Sequence, residues 1–506
     1  LISRQIVFGI GRKVEVNLRQ KLFDHLLIQD PDWIQKKGSG DIISRATSDV
    51  ENIRRLLGFT VLSLCNIILA YSLTIPSMFS INKQLTISAL MIFPMILGIV
   101  SLFGGKMVNQ RKAQQESLSK LSDLIQEDLS GISAIKIYAQ ENAEKKEFNI
   151  YNNLYRNSAI KLARTASTLF PLLQGISSIS LLILLGLGAY QLENGLISIG
   201  GLVALILYVE RLVFPTALLG FTLNTFQLGQ VSLDRVEEIL QNKPTIVDKH
   251  MPKYLTKKSK GFLQAKELVI KYPGSTFNSL NGINFKIFPG ELIAIVGPVG
   301  CGKTTLAKAL GRTIEIPDGQ LFLDDIDIKT IRLRDLRKNI AIVPQEAFLF
   351  TSSISENLKF GKPKASYQLV EKSATRAGLI DDINGFTKKF KTIVGERGIT
   401  LSGGQRQRTA LGRALLVDSS VIVLDDALAS VDNKTASFIL DEMRENKNKT
   451  VLMISHQLSV AAICDRVLVM DKGVIIQEGK HKNLISEKGL YKKLWERELA
   501  TKKIES

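Results

Sequence analysis

The sequence is poor in cysteine. Its three, Cys65, Cys301 and Cys464, are odd in number and far apart among 506 residues. That excludes a disulfide framework and points to a reducing compartment for the soluble parts. Acidic residues are also in deficit, 48 Asp and Glu against 66 Lys and Arg, for a net charge of +18. An acidic tail protein is therefore excluded, and with 45% hydrophobic residues so is a disordered chain. The positive excess suits nucleic acid, a membrane surface or anionic nucleotides. No cleavable signal peptide is visible, and the first residue is Leu rather than Met, so the sequence is expected to lack its true N-terminus. A single core rarely grows beyond ~250–300 residues, so a chain of this length implies more than one domain.

Charge is scarce in four windows, about 57–81, 85–105, 166–190 and 196–222. Each supplies the ~20 predominantly apolar residues needed to cross a hydrocarbon core of ~30 Å. The loops between them set the orientation. Residues 12–55 carry nine Lys or Arg and 106–164 carry ten, whereas 80–84 carries only Lys83 and 191–200 carries none. The two long basic loops are therefore cytoplasmic and the two short ones lie outside. Residues 1–10 read as the cytoplasmic end of a further span. Glu210 and Arg211 fall near the centre of the last window, where a charge costs at least ~2.5–3.5 kcal/mol on insertion scales, so at least one is expected to face a central cavity rather than lipid.

Between 106 and 164, Leu118, Leu121, Leu124, Ile125, Leu129 and Ile132 recur at helical spacing. Helices that continue several turns past the membrane, at 1.5 Å of rise per residue, produce such a pattern. Gly40-Asp41 and the charged run 140–147 are expected at the tips of the two cytoplasmic loops. Past Gln230 the sequence turns polar, and 241–260 reads as a linker. Strand-like and helix-like apolar runs then alternate, as in a parallel α/β sheet. The expected organisation is a helical transmembrane domain over 1–240, a linker over 241–260 and an α/β domain over 261–506.

The second domain carries explicit chemistry. Leu292–Val296 is a continuous apolar run, as for a strand buried on both faces. It is followed by Gly297-Pro298-Val299-Gly300-Cys301-Gly302-Lys303-Thr304, and then by Thr305 at the head of a helix-like run to Leu310. Strand, glycine-rich loop ending in Lys-Thr, and helix form a phosphate-binding P-loop. The glycines let backbone N–H groups surround phosphate oxygens, Lys303 adds a mobile positive charge, and the Thr304 hydroxyl suits Mg²⁺. A second buried run, 421–424, ends in Asp425-Asp426, placing a carboxylate at a strand end where a Mg²⁺ partner belongs. This domain is expected to bind and hydrolyse a nucleoside triphosphate.

Further motifs give a resemblance. Leu401-Ser402-Gly403-Gly404-Gln405, upstream of Asp425, resembles the signature sequence of ATP-binding-cassette (ABC) proteins, and Ser402 with its glycines opens a helix-like run over 405–416. Tyr272 resembles the aromatic that stacks on adenine. Gln345, in Val343-Pro344-Gln345, resembles the glutamine that senses Mg²⁺. Ala429-Ser430-Val431-Asp432 is similar to the dimer-contacting loop, and His456, after 451–455, to the histidine on the γ-phosphate. Val394-Gly395-Glu396-Arg397-Gly398 is similar to a cross-subunit contact of ABC exporters. The resemblance covers nearly the whole chain and implies an exporter half-transporter: an α-helical transmembrane domain fused ahead of an α/β P-loop ATPase.

From the resemblance follow ATP and Mg²⁺ as cofactors, Lys303, Gln345, Asp426 and His456 as catalytic residues, and Thr304, Gln345 and Asp425 around the metal. Gly297, Gly300, Gly302, Lys303, Thr304, Thr305 and Tyr272 would bind ATP, and Ser402, Gly403, Gly404 and Gln405 would close on ATP held by an opposite subunit. A second half-transporter, preferentially a different chain, is the expected partner, in the plasma (inner) membrane with the ATPase in the cytoplasm. The cargo, small molecule, lipid or peptide, is left open, and nucleic acid is not expected. Two features depart from the family. It has six spans where four and a stub are present, and it usually has Glu where this chain has Asp426, which bears on the hydrolysis rate. The alternatives are an ATP-dependent gate or sensor without transport and, less in keeping with a fused membrane domain, an importer.

Overall fold

Three of the charge-poor windows, and all but the first three residues of the fourth, lie within long helices of the computed structural model, which describes residues 2–255, 257–395, 398, 400–445 and 449–505. In chain order these are α1 (Ile2–Ile28), a short α2 (Pro31–Lys37), α3 (Ser39–Ile81), α4 (Lys83–Ser130), a short α5 (Ile132–Ile137), α6 (Glu141–Glu193) and α7 (Ile199–Gln241). Among the described residues α3, α4, α6 and α7 are the helices long and apolar enough to cross a membrane. The chain divides into two units. The first joins Leu1–Leu27 to Lys37–Lys243, and the second joins Ile28–Lys36 to Pro244–Ser506.

Local chemistry sets the helix ends. Asn82 breaks α3 from α4 with extended backbone (φ −160°), and its side chain accepts a bond from the Leu85 N–H. Ser198 likewise caps α7 by accepting from the Gly201 N–H, so α7 begins three residues inside the 196–222 window. The cytoplasmic tips differ from expectation. Gly38, at φ 81°, separates α2 from α3, so Gly40-Asp41 lie in the first turn of α3 and the tip is formed by α2. In the second loop the tip is α5 and the break at 138–140, where Ala139 takes φ 51°. The charged run 141–147 belongs to the first turns of α6, where Glu141 and Glu144 complement the positive end of the helix dipole.

At the cytoplasmic end of the first unit, α3 and α7 are tied by charge. Arg45 donates to Asp41 (2.8 Å), to Glu238 (2.7 Å) and to the Arg235 carbonyl (2.5 Å). Arg235 pairs with Asp41 (2.9 Å) and Asp49 (3.2 Å), and the Ser232 hydroxyl donates to Asp49 (2.8 Å). Arg45 and Asp49 are both buried. Breaking a fully buried pair costs about 3–5 kcal/mol, and the partial exposure of Asp41 and Glu238 lowers the expectation for Arg45→Ala to about 2–3 kcal/mol. Thermal inactivation of the detergent-solubilised protein at a clearly lower temperature is the expected result; an unchanged midpoint would mean that the network contributes nothing.

In the second unit residues 245–247 are held to the unit's own body. The Asp30 carboxylate accepts from the Thr245 N–H (2.8 Å) and hydroxyl (2.7 Å) and from the Ile246 N–H (3.1 Å). Buried Arg312 donates to the Val247 carbonyl (3.1 Å). Ten strands follow among the described residues: β1 (Leu263–Ile270), β2 (Leu280–Ile287), β3 (Leu292–Val296), β4 (Leu321–Leu323), β5 (Ile326–Asp327), β6 (Ile340–Val343), β7 (Val421–Asp425), β8 (Thr450–Ile454), β9 (Arg466–Asp471) and β10 (Val474–Gly479). They form a four-stranded sheet, order β2-β1-β4-β5, and a six-stranded sheet, order β10-β9-β3-β8-β7-β6. In the larger sheet β9, β3, β8, β7 and β6 run parallel. Both of its faces are covered: Ile293 and Ile295 of β3 enter one apolar cluster, and Leu292, Ala294 and Val296 enter another. A parallel sheet covered on both faces explains the unbroken apolar runs of β3 and β7.

Candidate functional site

β3, β7 and β8 run parallel side by side, so their C-terminal ends emerge at one edge of the sheet. That edge carries the glycine-rich loop after β3, Asp425-Asp426 after β7 and His456 after β8. Between them is a cavity of about 580 Å³ whose walls include Gly300, Gly302, Lys303, Thr304, Thr305, Gln345, Asp425, Asp426 and His456. Residues more than 150 positions apart in sequence are thus brought to one place by strand order. Crevices at the carboxyl ends of parallel strands are where α/β proteins bind ligands.

The loop is shaped by what glycine permits. A side chain on Gly297 would place Cβ 2.0 Å from the Met470 carbonyl oxygen. Gly302, at φ 105°, begins α8 (Lys303–Leu310), and a Cβ there would lie 2.5 Å from the Ser279 carbonyl oxygen. Neither position admits another residue without moving backbone. The buried Lys303 ammonium donates to the carbonyls of Gly297 (2.8 Å) and Pro298 (2.9 Å), with the Cys301 Sγ at 3.7 Å. Its charge is held at the mouth of the loop.

Thr304 Oγ1 donates to Asp425 Oδ1 at 3.3 Å. Asp425 is buried, and burial raises its carboxyl above the usual carboxylate range, with the neighbouring Asp426 charge adding to the effect; the Thr304 hydrogen bond, Lys303 and His456 pull the other way. Thr304, Asp425 and Gln345 line one cavity, and a hydroxyl, a carboxylate and an amide oxygen are the kinds of donor that suit a hard divalent cation such as Mg²⁺. Asp426 takes φ 51°, a left-handed backbone uncommon outside glycine, with its N–H bonded to the Ile454 carbonyl (2.9 Å). Its carboxylate accepts from the His456 N–H at 3.4 Å. Asp426 and the loop after β8 are therefore tied together.

The signature residues lie elsewhere. Ser402 caps α9 (Gly403–Leu416) in a reciprocal arrangement: its hydroxyl accepts from the Gln405 N–H (3.2 Å), and the Gln405 side chain accepts from the Ser402 N–H (3.0 Å). Gly404 packs on Ser430, whose carbonyl would meet a Cβ at 2.7 Å, and the Ser430 N–H is bonded to Gln407 (3.0 Å). At the helix start the backbone of the Ser430 loop is held close to Gly404 because glycine is there. Ser402, Gly403, Gly404 and Gln405 are not in the wall of the cavity above.

Tyr272 is also outside that wall. It is half-buried against the core, with its hydroxyl 3.4 Å from Thr305 Oγ1. The aromatic in the wall is Phe277, a largely exposed residue that the sequence motifs did not single out. Lys472 and Gly473 were missed as well. They form the turn between β9 and β10, and only the parallel pairing of β9 with β3 brings that turn beside the phosphate loop. Glu396 and Arg397 lie outside the described residues.

This geometry can be compared with known proteins. The model of the ABC transporter transmembrane region matches residues 2–216, and the ABC transporter model matches residues 280–429. The multidrug resistance-like ATP-binding protein MdlA of Buchnera aphidicola (Baizongia pistaciae) is 37% identical over 95% of this chain and 83% of its own length. The chain belongs to the ABC transporter family. An ATP-dependent lipid A-core flippase of Wigglesworthia glossinidia brevipalpis is 30% identical over 98% of this chain and 86% of its own length. In fold, a bacterial Atm1-family ABC exporter with ATP bound superposes with a TM-score of 0.81 over 97% of this chain and 86% of that one, at 24% identity.

As an ABC exporter half, the chain is a multi-pass membrane protein whose ATPase domain is cytoplasmic. It binds ATP, acts as a dimer, and couples ATP hydrolysis to export or flipping of a substrate. A gate or sensor without transport is not favoured by relatives named for multidrug resistance and for lipid flipping.

Proposed function

We propose that the cavity at the sheet edge is one nucleotide half-site of an ATP sandwich, completed by a second half-transporter. The observation that carries this reading is the convergence of the phosphate loop, Asp425-Asp426, Gln345 and His456 on one cavity from which the signature residues are absent. Ser402–Gln405 then has its use on nucleotide held by the partner. Backbone N–H groups of Gly300, Gly302 and Thr304 surround phosphate, and Lys303 exchanges its carbonyl partners for β- and γ-phosphate oxygens. Thr304, Asp425 and Gln345 would hold Mg²⁺, which when bound offsets phosphate charge. Asp426 orients the attacking water and His456 contacts the γ-phosphate. Tyr272 and Phe277 flank the loop as faces for the base.

ATP binds the closed pair better than the open one, so it shifts the population toward closure, and hydrolysis returns it. The partner is preferentially a different chain, because Asp426 suits a slow, ATP-holding site whose fast counterpart carries Glu. The cargo is an amphipathic small molecule, lipid or peptide, in keeping with relatives named for multidrug resistance and lipid flipping. Affinity purification of the tagged chain from its native membrane tests the pairing. Recovery of an equimolar second half-transporter is expected, and recovery of this chain alone, as a dimer with full turnover, would contradict it.

A further inference from the structure

The His456 loop is reached by a side chain from the far end of the sequence. β8 ends at Ile454, and a short helix, α10 (Leu458–Ala461), begins just beyond His456 and Gln457. Gln457, the residue before that helix, makes no side-chain bond to its first N–H groups. Glu498 makes the bonds instead, from 40 positions away: one carboxylate oxygen accepts from the Leu458 N–H (2.6 Å) and the other from the Ser459 N–H (3.3 Å). A carboxylate there satisfies two donors that a helix start leaves open, and it meets the positive end of the helix.

Glu498 belongs to α11 (Leu490–Glu505), whose other face is anchored. Tyr491 is buried, with its N–H bonded to the Gln477 side chain (3.1 Å) and its hydroxyl 2.6 Å from His481 Nδ1. Trp495 packs on the apolar cluster that Leu292, Ala294 and Val296 enter, and stands edge-on to His481. Positions 491, 495 and 498 share one face of a helix, so fixing the first two aims the third. The loop itself is bonded residue by residue. The Ser455 N–H donates to the Ile295 carbonyl (3.2 Å), that of His456 to the Asp426 carboxylate (3.4 Å) and that of Gln457 to the Ser455 hydroxyl (3.0 Å). The next two N–H groups are those that Glu498 accepts.

We infer, on the reading that His456 meets the γ-phosphate, that Glu498 is a positioning residue for that contact. It is not in the wall of the nucleotide cavity, so it acts through the backbone it holds. With α10 pinned at its first turn, the His456 ring enters the cavity from a fixed segment. Without Glu498 two N–H groups lose their acceptor, and the loop regains freedom that nucleotide binding must then remove. The loss falls on ligands that carry a γ-phosphate and spares those that do not.

The test compares the non-hydrolysable analogue AMP-PNP with ADP by equilibrium binding to the full chain in lipid nanodiscs. His456→Ala is the reference, and it should weaken AMP-PNP about tenfold and ADP no more than about twofold. Glu498→Ala should show the same split, with AMP-PNP weakened about three- to tenfold. Glu498→Gln keeps one acceptor oxygen and should stay within about twofold of the wild type for both nucleotides. Hydrogen exchange on the wild-type chain needs no variant to fold. AMP-PNP should slow exchange over 494–500 more than ADP does, because a contact that favours one ligand is strengthened by it. Equal weakening of both nucleotides by Glu498→Ala, no weakening of either, or exchange indifferent to the γ-phosphate overturns the positioning role. If His456→Ala meanwhile loses its preference for AMP-PNP, the γ-phosphate reading stands and Glu498 alone is wrongly placed. If His456→Ala keeps that preference, the reading falls and the role of Glu498 falls with it.

Discussion

In a dimer of two identical chains, Lys303→Ala should reduce ATP hydrolysis by about 10²–10³-fold or more, the usual consequence of removing one donor aimed at developing charge. In this loop the ammonium is the one mobile charge at the phosphate position, fixed by the Gly297 and Pro298 carbonyls. Backbone N–H groups remain in the variant, so nucleotide binding should weaken less than turnover. The check is phosphate release by purified protein at saturating ATP. Wild-type turnover by the variant would remove the cavity from the reaction.

Asp426→Glu should move activity in the opposite direction. Asp is one methylene shorter than Glu, so its carboxylate falls roughly 1–1.5 Å short of a water behind the γ-phosphate, and such misplacement can cost ~10² in rate. In this structure that carboxylate reaches instead to the His456 N–H, from a residue held in left-handed backbone. In a dimer of two identical chains the substitution should raise turnover by up to ~10²-fold, whereas beside a fast partner site the total should change no more than about twofold. ATPase assays on both preparations distinguish these. A homodimer already at full rate and indifferent to Asp426→Glu would show that Asp426 does the work of Glu without loss.

Much of this was legible in sequence because the signals are local. The runs that became β3 and β7 are apolar throughout because both faces of their sheet are covered, and the motif after β3 needs glycine where a Cβ would strike backbone. What was misplaced depended on non-local structure. The charged run 140–147 reads as a loop tip until the helix that absorbs its carboxylates from Glu141 on is known. Residues 28–36 join the second unit across more than 200 positions, through bonds such as Asp30 to Thr245 that no linear boundary can express. Phe277, Lys472 and Gly473 are unremarkable turn residues until strand pairing carries them to the cavity.

ATP held at this cavity and its counterpart in the dimer is expected to drive a substrate across the membrane. This is tested most directly by loading the purified transporter into inside-out proteoliposomes and following accumulation of labelled amphiphiles, lipids and peptides with and without ATP. The account predicts ATP-dependent, vanadate-sensitive accumulation of at least one class, lost in Lys303→Ala. Stimulation of the ATPase by these compounds with no accumulation of any would contradict it and favour a sensor.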